Sequence, residues 1–80
     1  MLARAQGELL HGSAQTALAL TDEHARTYPH GTLAQEREMI AIEALAKMGQ
    51  MPKARSRALV FRKAYPASTY GARLDALLGP

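Results

Sequence analysis

Residues 12–29 read GSAQTALALTDEHARTYP, and residues 49–66 read GQMPKARSRALVFRKAYP. Laid over each other at a shift of 37 positions, they match Gly12 with Gly49, Ala17 with Ala54, Tyr28 with Tyr65 and Pro29 with Pro66. The same shift pairs Leu33 with Tyr70 and Glu38 with Asp75 further along the chain. In a chain with sixteen Ala, an Ala match is easily met by chance; a paired Gly and a paired Tyr-Pro are not. A period of this length marks a repeated supersecondary unit. Each repeated residue has a physical task in a helical hairpin. The Gly permits a tight turn between antiparallel helices, and the small Ala five residues later lets the two helices approach closely. The Tyr ring packs at the end of the second helix, and the Pro stops that helix.

Working outward, Gly and Pro divide the chain into helical lengths. Leu2 to His11 reads as a first helix, stopped at Gly12, with Ser13 capping the next. That second helix spans Ala14 to Tyr28, its apolar residues Ala17, Leu18, Leu20, Ala25 and Tyr28 recurring at helical spacing. Thr32 with Gln35 makes a capping-box pattern for a third helix that runs to Met48. A fourth begins at Gln50 or Met51, tolerates Pro52 in its first turn and ends at Tyr65. Ser68 caps a fifth, over about 69–78. The expected organisation is one all-α domain over residues 1–80, with hairpins at about 2–28 and 32–65 and a capping helix at about 68–78.

Composition agrees with this reading. Ala, Leu, Glu, Gln, Arg and Met are strong helix formers, whereas β-branched residues are few, so a sheet has little to be built from. Cys is absent, which excludes disulfides and thiolate metal ligands. No apolar run approaches the roughly 18 residues of a membrane span, and the N-terminus has no signal-peptide core. The net charge of +3 is unevenly placed. Residues 1–50 carry four Lys/Arg against six Asp/Glu, and residues 51–80 carry six against Asp75 alone.

The spacing of Gly12, Ala17 and Pro29, repeated by Gly49, Ala54 and Pro66, resembles tetratricopeptide repeats. The likeness extends over residues 2–78. The segments Tyr28 to Ala34 and Tyr65 to Gly71 look most like the variant in bacterial envelope proteins of that family, whose period is also longer than the usual 34 residues. The pattern is good at the turn and second helix and weak in the first, where Glu38 and Ile42 replace an aromatic and a small residue. The short first helix suggests that Met1 lies within or near a repeat of a longer protein. The resemblance implies a short solenoid of stacked hairpins that binds another protein in a concave groove lined by the first helix of each pair. Carried over position by position, the groove residues are Leu2, Gln6, Leu9 and Leu10 from the first hairpin. The second contributes Glu36, Met39, Glu43, Ala46 and Lys47. The bacterial periplasm or a membrane-anchored soluble domain is the implied location, with the cytoplasm as the alternative.

Chemistry finds little support. His11, His24 and His30 form no metal-ligand spacing, and Gly7, Gly12 and Gly31 make no phosphate-binding loop. Glu36 and Glu38 read as a solvated face matched to the helix dipole, with Glu43 two turns on. No enzyme activity and no cofactor are expected. The basic run Lys53, Arg55, Arg57, Arg62, Lys63 reads first as a solvated outer face and second as a contact for an acidic protein or headgroup surface. Nucleic-acid binding comes third, since interleaved aromatics are missing. Two readings rival a partner groove: self-assembly through the exposed ends of an incomplete solenoid, and electrostatic nucleic-acid binding.

Overall fold

The computed structural model describes residues 2–79 and contains five helices, with no strand among them. They are α1 (Leu2–His11), α2 (Ala14–Thr27), α3 (Ala34–Lys47), α4 (Met51–Ala64) and α5 (Gly71–Leu78). The molecule measures 28 × 28 × 17 Å, whereas one continuous helix of this length would extend about 120 Å. The chain therefore folds back on itself as helical hairpins.

The 37-residue period is visible in backbone geometry. Tyr28 and Tyr65 end their helices with the same dihedrals, φ −132° and ψ 66°. Each donates its backbone N–H four residues back, to His24 and Phe61 respectively, at 2.8 Å. The loops that follow then repeat bond for bond. Gly31 N donates to Tyr28 O as Ser68 N donates to Tyr65 O, and Ala34 N to Gly31 O as Gly71 N to Ser68 O. Ala17 and Ala54 are both fully buried, at the close helix contacts their size permits.

The two glycine turns differ. Gly49 sits at φ 75°, in the left-handed region that favours glycine. Around it, Gln50 N donates to Leu45 O and Gly49 N to Ala46 O, a Schellman closure of α3. Gly12 has no positive φ. Its lack of a side chain instead makes room for the Glu8 carboxylate, which a Cβ would strike and which accepts a 3.0 Å hydrogen bond from Ser13 N.

Two expected caps are absent. Ser13 does cap α2, accepting from Thr16 N at 3.2 Å. Thr32 does not cap α3: the N-cap is Leu33, with no side-chain bond. The repeated loop occupies the position that a capping box would need, and Gln35 turns away to accept from the Ser68 hydroxyl at 2.7 Å. Ser68 in turn bonds Tyr70 N within the loop, and α5 starts two residues late, at Gly71.

α3 is the shared core element. Ile40 and Ala44, one turn apart, join Leu2, Ala5, Leu9 and Ala17 in a cluster with the first hairpin. Met39, Ile42 and Leu45 join Ala54, Ala58, Phe61, Leu74 and Leu78 in a second cluster with α4 and α5. Leu18 touches both clusters. Each helix packs on the next in sequence. α1 also packs on α3, and α3 on α5, while α1 stays clear of α5 and α2 clear of α4.

Candidate functional site

That contact pattern leaves two open sides, and α3 lies at the bottom of each. Residues 43 and 45 point about 200° apart on a helix, so Glu43 serves one side and Leu45 the other.

On the first side α1 and α5 flank α3, and the groove residues expected from sequence divide into three groups. Glu36 is exposed, and Gln6 is half-buried on α1. Glu43 and Lys47 lie in the same stripe of α3, but both are engaged. The Glu43 carboxylate pairs with Arg73 of α5, and the Lys47 ammonium donates to Leu9 O near the end of α1. These two charges tie the central helix to its neighbours on either hand. Ala46 is half-buried beside them.

Met39 does not belong to this surface. It is 2% exposed and packed into the cluster with Phe61 and Leu74, because α3 is sandwiched and its 39–42–45 edge faces α4 and α5. Leu2 and Leu9 are likewise core residues, packed against Ile40 and Ala44. Leu10 is exposed.

Glu38, expected on a solvated face, is at the centre of an ion cluster. Its carboxylate accepts from Arg57 Nε of α4 at 2.8 Å and from Arg37 Nε at 2.8 Å. Arg57 also reaches Asp22 of α2 at 3.3 Å. Arg37, buried, donates through Nη1 to Tyr28 O at the end of α2. The cluster thus joins α2, α3 and α4 where the backbones of α2 and α4 do not meet. Burial pushes the Glu38 carboxyl up, but hydrogen bonds and charge from Arg57 and Arg37 outweigh it and hold the group below the ordinary carboxylate range. For Arg57, burial acts to lower the pKa, and the Glu38 and Asp22 carboxylates overcome this and raise it.

The basic run of α4 is accordingly not one patch. Arg57 is committed to Glu38 and Asp22, and Arg62 to Asp75 of α5 at 2.7 Å. Lys53, Arg55 and Lys63 are exposed and outside the ion pairs found among the described residues. Phe61, expected in the core, is there.

The second open side was not anticipated from sequence. Between α2 and α4 lies a cleft of about 590 Å³, lined by Leu18, Leu45, Pro52, Lys53, Arg57 and Val60, among others. Its sequence signal was Val60, an apolar residue among the charges of α4 that aligns with no core position. It is 68% exposed.

The histidines do not converge, and the described residues contain no group of three His, Asp or Glu able to hold a metal ion. His24 is buried with its ring against Tyr28, centroids 5.3 Å apart. No described helix is long and apolar enough to cross a membrane. No known protein family, curated protein or solved structure matches the chain.

Proposed function

We propose that the chain is a protein-interaction module of tetratricopeptide type, a short solenoid that holds a partner segment along the α1–α3–α5 side. The observation that carries this reading is the separation of α1 from α5 across a shared α3. It makes α3 the floor of a trough whose walls are its two neighbours. The floor carries Glu36, Glu43 and Lys47 at spacings of seven and four, one stripe of a helix, with Gln6 on one wall and Arg73 on the other. Mixed charge on rigid elements suits recognition of a polar extended or helical segment. Glu43, Lys47 and Arg73 already pair with side chain or backbone, so they are held in place and pre-organised for a ligand, while Glu36 is exposed. Nothing in this arrangement calls for catalysis. The bacterial envelope remains the favoured setting, on the resemblance of the Tyr-Pro loops alone.

The test is a triple change, Glu36→Ala, Glu43→Ala and Lys47→Ala, applied to the immobilised chain in a pull-down from cell extract. Partners retained by the parent chain should be lost. The fold should survive, because the change removes one ion pair with an exposed Arg73 and one hydrogen bond to the Leu9 carbonyl, each contributing about 1 kcal/mol. Partners that stay bound to the triple variant would reject the trough.

Self-association is a second reading with its own observation. Leu59 is 58% exposed beside a shallow furrow between α4 and α5 that Leu78 and Gly79 also line. Stacking of copies through this end would give a molar mass that rises with concentration in light scattering. A constant monomer mass would remove it.

A further inference from the structure

We propose that the cleft between α2 and α4 is a second docking surface, shaped and charged for an acidic amphipathic helix of a partner protein. The inference is independent of the trough, since the two surfaces use opposite sides of α3.

Shape comes first. The backbones of α2 and α4 both pack on α3 but do not meet each other. The two helices thus form the banks of a channel with Leu45 in its bed, bridged at one point by the Arg57–Asp22 pair. Leu18 contributes from α2, and Pro52 and Val60 from α4. The stretch from Gln50 to Val60 is about 15 Å long, the length of three turns of a helix laid alongside. A volume of about 590 Å³, open to solvent, accepts several apolar side chains from one face of such a helix rather than a small enclosed ligand. Val60 and Leu18 would gain cover that the isolated chain does not provide. Recognition of this kind reads apolar anchors at i, i+3 or i+4 and i+7.

Charge selects the occupant. Lys53 stands on the α4 bank without a carboxylate partner, and Lys63 follows Val60 by three residues, also unpaired among the described residues. Arg57 lines the cleft as well, and it already binds a carboxylate there. Asp22 meets it from the α2 bank at 3.3 Å, the longest ion pair among the described residues and one with a half-exposed acid. Asp22 therefore marks a place where an incoming Asp or Glu would find a guanidinium. The deeper Glu38 contact at 2.8 Å keeps Arg57 in position whether or not Asp22 lets go. The excess of basic over acidic residues in 51–80 adds long-range attraction for an acidic partner. Single-stranded nucleic acid would be drawn by the same charge, but the cleft has no aromatic side chain on which a base could stack.

The experiment uses the whole chain, 15N-labelled. It is titrated with a synthetic helix of about 15 residues bearing a Leu stripe flanked by Glu, then with the same helix flanked by Lys, then with oligo-dT. Saturable shifts at Leu18, Leu45, Ser56 and Val60 with the Glu peptide alone, at a Kd below about 1 mM, support the proposal. Val60→Glu, at a position exposed enough to spare the fold, should weaken that binding at least about tenfold, and Lys53→Glu severalfold. Asp22→Asn should strengthen it, because it removes the internal competitor for Arg57. Absence of binding, shifts confined to α1 and α5, equal response to the Lys peptide, or preference for oligo-dT would each overturn it.

Discussion

Glu38 meets two guanidinium groups, and the balance of charge around it decides what its loss would do. Removing it leaves the buried Arg37 and half-buried Arg57 facing each other with only the Tyr28 carbonyl and Asp22 in compensation. Glu38→Gln should therefore cost about 2 kcal/mol in a urea melt at neutral pH. The same change at exposed Glu36 should stay within about 0.5 kcal/mol. The pH dependence has a definite sign. The folded Glu38 pKa lies below its unfolded value, so the stabilisation is complete above the unfolded carboxylate range of about 4.3 and is lost as pH falls through the folded pKa. Urea midpoints measured between about pH 6 and pH 3 should fall for the parent chain and fall less steeply for Glu38→Gln. The sequence did not disclose this cluster. Helix periodicity puts Glu38 in the first turns of α3, where the dipole alone accounts for an acid; only the packing of α4 brings Arg57, nineteen residues away, onto it.

At the scale of elements, helix boundaries were legible because local chemistry sets them. α1 spans the residues expected, and Tyr28 and Tyr65 stop their helices in the same way. Caps were less legible, since a cap depends on the loop before it. Ser13 follows a glycine turn and caps α2, whereas Thr32 sits inside the Tyr-Pro loop, whose own hydrogen bonds place Leu33 at the N-cap. Ser13→Ala should thus destabilise by about 1 kcal/mol, and Thr32→Ala should be near neutral in the same denaturant series. The glycines separate likewise. Gly49→Ala forces a Cβ into left-handed backbone and should cost about 1–2 kcal/mol. Gly12→Ala clashes with the movable end of Glu8 and meets its backbone only at ordinary contact distance, and should cost less than half as much. Equal losses at the two glycines would mean that the turns share one conformation after all.

In the whole molecule, α3 is the element on which the rest depends. Its two apolar edges, 40–44 and 39–42–45, each hold one hairpin or its successor, and its remaining surface is the floor of the trough. This is also why the candidate site was only half legible. A helix apolar on two edges offers no single stripe from which to infer the free side, so Met39 read as groove and proved to be core, while Glu36 read as groove and is open. The α2–α4 cleft escaped because it exists only where the backbones of the two helices stay apart. Overpacking the hairpin contact should be felt globally: Ala54→Val, at a fully buried position, should lower stability by about 1–3 kcal/mol, read as a fall in the thermal midpoint.

Native-state hydrogen exchange tests this account most directly. If repeated hairpins are assembled on a shared central helix, the amides of residues 39–45 must exchange slowest in the chain, at the rate of global unfolding. Those of α1 and α5 should open earlier and separately. A central helix that exchanges as fast as α1 or α5 would contradict the assembly, and with it both surfaces that α3 is held to support.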